Sequence, residues 1–541
     1  MIYERDNLMI EILRNPDDIR IYCEEAEIKD ASVKIEINDR KLSVYITAQN
    51  DNPRFICLRW NFPVIDYTKI MGDKWERSYG DMEWHSLNGE IFMPWYFLAN
   101  NGPETVGCGV MTGANSFVSF QCDAYGCTAW FDVRCGGTGV ELKGRTLLAG
   151  VIVCEHYKDM PAFQAAREFC HVMCENPRLP KEPVYGSNNW YYAYGKSSRE
   201  EILRDADIIA ELAADNENKP FMVIDDGWEI NSVSGPWRPN EKYGDMSEIT
   251  AEFKKRGVRP GIWFRPLHDK EAEEQHPEWR IKRIKNDCND PNFKKTDEGW
   301  LGYLDPTIPE VQSYLRNILR DIKKWGFELI KHDFSTFDMF GLFGSALNGK
   351  ITVSDGWSFY DKTKTSAEIV LDFYRLIREE AGDMIIIGCN TVSHLSAGLV
   401  ELYRTGDDTS GKIWSRTRAY GVNTLAFRLC QNDAFYKVDA DCVGIIKDKI
   451  DWKLNRQWLD LLSKSGSPLF VSIQPEALTD EIKEDLKSAF KINSVQKDVA
   501  QPLDWLYNNQ PRSWAINNVK IDYDFVMDSY PELLNGKIQD Y

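Results

Sequence analysis

Positive charge is what this chain of 541 residues has too little of: 65 Lys and Arg face 84 Asp and Glu, a net of −19. That balance excludes a nucleic-acid partner, which needs a basic footprint. It is equally poor for anionic membranes and polyanionic substrates, and leaves neutral ligands unrestricted. Long hydrophobic runs are also missing, and no window approaches the apolar length of a membrane span. The opening MIYERDNLMIEILRNPDD carries charges in its first turn and lacks the apolar stretch of a secretory leader. Histidine is scarce, at seven residues spread singly. Cys122 and Cys127 of QCDAYGC lack zinc-site spacing. No metal or other cofactor is therefore expected. The 13 cysteines are odd in number and scattered, which argues for reduced thiols and a cytoplasmic location.

What is present divides along the chain. Residues 1–180 hold short β-branched segments such as ASVKIEI, KLSVYITAQ and TLLAGVIVCEH, broken by the turn formers NDR, QNDNP and CGGTG. They predict an antiparallel β-sandwich, followed by a linker helix and the Pro-rich NPRLPKEP. From about residue 181 to 495 the rhythm becomes strand, loop, helix. Eight strand candidates run from PVYGSNNW to PLFVSI, with amphipathic stretches such as PEVQSYLRNILRDIKKWG between them. No Gly-rich phosphate fingerprint follows the first strand. This pattern predicts a (β/α)8 barrel rather than an open doubly wound sheet. Residues 496–541 predict a short C-terminal β segment.

In such a barrel, chemistry gathers at the C-terminal ends of the strands. The candidate strands end in polar residues: Asn188, Asn189 and Trp190; Asp225, Asp226 and Trp228; Trp263 and Arg265; Lys331 and Asp333; Cys389 and Asn390; Arg404, Asp407 and Asp408. In ELIKHDFSTF, Lys331 and Asp333 stand at i and i+2 and share one face. One such acid reads as a loop cap or surface ion pair, whereas a mouth lined with acids, cations and indoles suits carbohydrate chemistry. Two carboxylates across a pocket divide the work of glycoside hydrolysis, one attacking the anomeric carbon and one handling the leaving-group proton. Asp333 fits the nucleophile, with Lys331 holding it ionised. Asp407 or Asp408 fits the acid/base by position. Asp225 and Asp226 suit sugar hydroxyls, and Trp190, Trp228 and Trp263 offer ring faces.

The motifs VIDDGW, RPGIWFRP with HPEWRI, YLDPTIPEVQSYL, IKHDFS, RTGDDTSGKIWSRTRAYG, VDADCV and SGSPLFVS stand in an order that resembles the melibiase-like retaining α-galactosidases. These are glycoside hydrolase family 36 and its relative family 27, and the resemblance spans about residues 183–490. It implies a β-sandwich, a (β/α)8 barrel and a C-terminal β domain. It further implies Asp333 as nucleophile, Asp407 rather than Asp408 as acid/base, and Asp225, Asp226 and Lys331 as sugar ligands. Arg265, Arg404, Trp190, Trp228 and Trp263 join the expected binding shell. Cys389 reads equally as pocket wall or as buried structural thiol. Three departures stand out: Arg265 replaces the family's Glu, NTVSHLSAG (Asn390–Gly398) replaces a Gly-rich sugar-binding loop, and both flanking domains are short. In this family the sandwich can lend a loop to the barrel mouth, so Trp75 or Trp84 of MGDKWERSYGDMEWHSL either covers the sugar or packs the domains together.

The resulting expectation is a retaining exo-glycosidase acting on terminal α-galactosides or related neutral carbohydrates, with homo-oligomerisation left open. Alternatives are a transglycosylase of the raffinose-synthase kind, a non-catalytic carbohydrate-binding relative, and a barrel lyase or aldolase using Lys331 as a Schiff-base amine.

Overall fold

The computed structural model describes residues 16–25, 27–38, 40–61, 69–285, 290–344 and 354–525. The expected domain ends at 1–15 and 526–541 lie outside the described residues. The N-terminal part is a sandwich of two antiparallel sheets. One sheet runs Asp18–Cys23, Pro53–Trp60, Gly126–Asp132, Phe117–Asp123, Met93–Pro94. The other runs Ser32–Asn38, Lys41–Thr47, Thr146–Lys158, Glu104–Val110, Tyr96–Asn100, Lys69–Gly72. Alternation sets the faces: Leu42, Val44 and Ile46 are buried while the residues between them are half-buried. The helix Ala162–Met173 leads on to the barrel. The twelve cysteines among the described residues are all unpaired.

The barrel is a continuous parallel sheet ordered Lys437–Asp439, Leu402–Arg404, Ile385–Gly388, Leu329–His332, Arg259–Phe264, Phe221–Ile224, Tyr185–Asn188, Leu469–Ile473, Cys442–Ile445. Nine segments appear where eight strands were expected. The seventh strand is interrupted at Ala440–Asp441, where Asp441 takes a left-handed conformation (φ 70°). Its first half pairs with the sixth strand and its second half with the eighth. The sheet therefore closes on itself. Its strands are nearly continuous buried runs, as strands covered on both faces must be. Gly186 is needed where the first two strands meet, since a Cβ there would lie 1.9 Å from the Phe221 carbonyl oxygen.

Outer helices follow from apolar spacing and caps. Pro309–Lys324 starts on a proline at its first turn and buries Val311, Leu315, Ile318, Leu319 and Ile322, one stripe at helical period. Ser366–Ala381 begins with a reciprocal capping box between Thr365 and Glu368. Past the last barrel helix, Asp480–Asn493, a three-stranded antiparallel sheet of Gln501–Pro502, Ser513–Ile516 and Val519–Asp522 forms the C-terminal β element. Among the described residues no helix is long and apolar enough to cross a membrane.

The two large parts are stitched together by the sandwich segment 73–82, which runs over the C-terminal mouth of the barrel. Asp73 Oδ1 meets Arg428 Nη2 at 2.8 Å, with both side chains buried. Arg428 Nη2 also donates to the carbonyl of Glu76 at 2.5 Å. Ser78 N donates to the Thr405 carbonyl at 2.8 Å. Removing one partner of a buried pair strands the other charge. Asp73→Ala is therefore expected to cost about 3–5 kcal/mol of unfolding free energy, read from denaturant titration. A loss within experimental error would show that water reaches Arg428.

Candidate active site

One cavity of about 200 Å³ opens at the C-terminal ends of the barrel strands. It is lined by Trp190, Asp225, Asp226, Trp263, Lys331, Asp333, Cys389, Asp407 and Asp408, together with Arg77, Val233, Phe334, Phe343 and Asn390. Lys331 and Asp333 both face it, as their spacing predicts. Their partners differ from the expected ones. Lys331 Nζ donates to Asp225 Oδ2 at 2.7 Å rather than bracing Asp333. Asp333 Oδ2 accepts from Trp263 Nε1 at 3.0 Å, and its Oδ1 from the Phe334 N–H at 2.7 Å. Burial opposes the Lys331 charge, but Asp225, Cys389 and Asp333 outweigh it and hold the ammonium above its usual range. A Schiff-base role needs a neutral amine, so this environment opposes it.

The acid pair after the second strand is fixed by its own loop. Burial pushes Asp225 up against the pull of Lys331, and Asn188 Nδ2 donates to its Oδ2 at 2.5 Å. Asp226 accepts from Ser232 Oγ at 2.9 Å and from the Val233 N–H at 2.6 Å. Glu229, behind it, is pushed up to about 10 by burial and by Asp226. Two N–H or O–H donors, Ser232 Oγ and the Val233 N–H, thus hold the Asp226 carboxylate in place. A carboxyl whose pKa is raised on folding contributes stability below its unfolded value of about 4.3 and loses it as pH rises. Glu229 is therefore expected to make stability fall steadily from about pH 4.3 toward pH 10, with a little under half of the loss present by neutrality. Glu229→Gln should flatten that slope in denaturant titrations at stepped pH. An unchanged slope would assign it to other groups.

The two acids after the sixth strand sit in different surroundings. Asp407 Oδ1 faces Arg77 Nη2 at 3.3 Å and its Oδ2 faces Arg416 Nη2 at 3.6 Å. Asp408 Oδ1 accepts from Arg404 Nη2 at 2.9 Å, and its side chain is 40% exposed against 21% for Asp407. Burial opposes the Asp408 charge, while Arg404, Arg77 and Lys331 together hold its carboxylate below the usual range. Arg404 is shared with Asp441, at 2.8 Å.

Three expected ligands stand away from the cavity. Trp228 is fully buried against Trp237 and Trp325, with its Nε1 on the Trp263 carbonyl at 2.9 Å. Its place is the core beneath the floor. Arg265 is paired with Asp338 at 2.6 Å and lies against the rings of Tyr303 and Phe334, so it braces the wall from behind. Arg404 is buried behind Asp408 and Asp441. Trp75 packs edge-on to Trp95, and Trp84 edge-on to Trp505, so both serve packing. The residue that their loop brings to the cavity is Arg77. Cys389 is both buried and part of the cavity wall.

Backbone strain gathers here. Val233 (φ 68°), Phe334 (φ 63°) and Asn390 (φ 56°) all line the cavity in left-handed conformations, which cost about 1 kcal/mol or more each. For the β-branched Val233 such a conformation is a true outlier. Strain of this kind persists where surrounding contacts over-determine it, as at ligand sites.

No protein-family model matches the sequence, and no curated protein matches it. Solved structures do. An α-galactosidase from Thermus thermophilus, in complex with p-nitrophenyl α-D-galactopyranoside, superposes with a TM-score of 0.61 at 16% identity, covering 93% of this chain and 99% of that one. A glycoside hydrolase family 36 α-galactosidase from Geobacillus stearothermophilus gives 0.60 at 14% identity, over 92% and 76% of the two chains. An α-galactosidase from Lactobacillus brevis gives 0.55 at 12% identity, over 88% and 70%. The chain shares its fold with α-galactosidases of glycoside hydrolase family 36.

Proposed function

We propose that the protein is a retaining exo-glycosidase hydrolysing terminal α-galactosides or closely related sugars. The observation that carries this reading is one cavity walled by Asp333 on one strand end and by Asp407 and Asp408 on another. Its size suits a single terminal sugar. Asp225, Asp226 and Lys331 supply acceptors and a donor for hydroxyls, and Trp190 and Trp263 supply ring faces. Several solved structures with this fold are named α-galactosidases, and the Thermus thermophilus enzyme among them is seen with stachyose and with an aryl galactoside.

In this reading Asp333 attacks the anomeric carbon as the bond to the leaving oxygen breaks. The acid/base passes its proton to that oxygen. It then takes a proton from water, which attacks the same carbon and frees Asp333. Anomeric configuration is retained. Trp263 and the Phe334 N–H hold the two oxygens of Asp333 and spread its charge.

Asp407 is the acid/base that the sequence expectation names. A second reading gives the role to Asp408. Its favouring observation is exposure: an acid/base must meet both the leaving oxygen and incoming water, and Asp408 is the more open of the two. Hydrolysis of a panel of nitrophenyl glycosides, with the product anomer followed by NMR, tests the main reading. Release of the α-anomer of galactose first is expected. No turnover of any α-glycoside, or release of the β-anomer first, would overturn it.

A further inference from the structure

We infer that Arg77, delivered by the β-sandwich, is a substrate ligand that donates a hydrogen bond to a hydroxyl of the bound sugar. This rests on the carbohydrate-binding part of the reading above and names a residue which that reading does not require. The segment on either side of Arg77 is pinned by barrel loops through backbone and side-chain bonds. Ser393 N donates to the Trp75 carbonyl at 2.9 Å, Gly344 N to Glu76 Oε1 at 2.6 Å, and Ser78 N to the Thr405 carbonyl at 2.8 Å. The side chain is only 10% exposed, and it reaches the cavity.

Its donors are unevenly used. Nε donates to Tyr79 Oη at 3.2 Å. Nη2 lies 3.3 Å from Asp407 Oδ1. In the amide orientation that its neighbours require, Asn390 donates to Glu76 Oε2 at 2.8 Å and accepts from Arg77 Nη2 at 3.2 Å. Nη1 makes no hydrogen bond to the described residues and is open to solvent. An accessible guanidinium N–H on the cavity wall that no protein group uses is placed to donate a charge-assisted hydrogen bond to a ligand oxygen.

The placement also fits a sugar. Arg77 sits at the ends of the fifth and sixth strands, through Asn390 and Asp407. Asp225 and Asp226 end the second strand, and strands two and six are opposite in an eight-stranded barrel. Acceptors at the end of the second strand therefore face a wall on which Arg77 adds a donor beside Asp407 and Asp408. A ring with hydroxyls on both edges satisfies both.

Binding of galactose and its four monodeoxy analogues, measured by calorimetry on the full chain, tests this directly. Arg77→Gln is expected to weaken galactose binding about 10- to 100-fold, as befits a charge-assisted bond. That penalty should vanish for the one analogue that lacks the recognised hydroxyl. Arg77→Lys, which keeps the charge and loses the fork, should fall between the two. Comparing sugars within one variant cancels any loss of folded protein. An equal penalty on every analogue would make Arg77 a structural prop and overturn the inference, as would no penalty at all. Binding of galactose without turnover would leave the ligand role standing and sink the hydrolase reading alone.

Discussion

Asp333→Asn is expected to lower kcat on p-nitrophenyl α-D-galactopyranoside by a factor on the order of 10^4 or more, since losing the nucleophile of the proposed double displacement removes the step itself. The structure adds a complication. Both oxygens of Asp333 accept from N–H donors, Trp263 Nε1 at 3.0 Å and the Phe334 backbone at 2.7 Å. An amide nitrogen at either position would face a donor and leave it unpaired. Asp333→Asn therefore also costs stability, about 1–3 kcal/mol, and thermal unfolding of the variant must be measured beside its kinetics. Asp333→Gly removes the conflict and opens space beside the anomeric carbon. Azide can enter there from the nucleophile's side. It displaces the leaving group once, with inversion, and gives β-galactosyl azide. Rescue of Asp333→Gly by azide with that product assigns the attack to Asp333. A folded Asp333→Gly variant that azide does not rescue, or an Asp333→Asn variant with near wild-type turnover, would remove Asp333 from the mechanism.

The parts that a linear pattern could reveal are those in which one residue's environment is set by its neighbours in sequence. The barrel strands were legible because a strand covered on both faces must be an apolar run. Alternation put Lys331 and Asp333 on one face, and both line the cavity. Alternation says nothing of what meets them across space, and Lys331 found Asp225, 106 residues away. Trp228 and Trp263 look alike in sequence, each closing a strand. Only the packing of Trp237 and Trp325 around Trp228 separates core from cavity. The break in the seventh strand depends on a left-handed Asp441, which VDADC does not announce. Arg77 was hidden for a different reason. Its segment reads as a surface loop of the sandwich, and the barrel contacts that fix it are more than 250 residues distant, as with Gly344 on Glu76. The alternation of acids and aromatics in MGDKWERSYGDMEWHSL was the one signal available. It drew attention to the indoles, which pack, rather than to the guanidinium between them.

Asp407→Asn and Asp408→Asn are expected to behave differently on one pair of substrates, and the difference identifies the proton donor. General acid catalysis contributes about 10^2- to 10^4-fold, and only when the leaving oxygen needs a proton. p-Nitrophenolate leaves without one, whereas the sugar alkoxide released from raffinose does not. Loss of the acid/base should therefore reduce raffinose hydrolysis by about 10^3-fold or more while sparing the first step on the aryl galactoside. The glycosyl-enzyme then accumulates, because no base activates water, and azide should speed its release as α-galactosyl azide. Asp407 faces Arg77 and Arg416, so Asp407→Asn in a merely supporting role should slow both substrates alike, with no azide effect. The surroundings of Asp408 add a pH test. Arg404, Arg77 and Lys331 hold its carboxylate low. If Asp408 is the acid, the protonated form is lost at acidic pH, kcat/KM falls on the alkaline side from an acidic optimum, and Asp408→Asn abolishes that limb. The leaving-group split in Asp407→Asn alone supports the sequence expectation, and in Asp408→Asn alone it moves the role by one residue. If neither variant shows it, the sixth strand does not supply the proton, and the double-displacement scheme loses its second carboxylate.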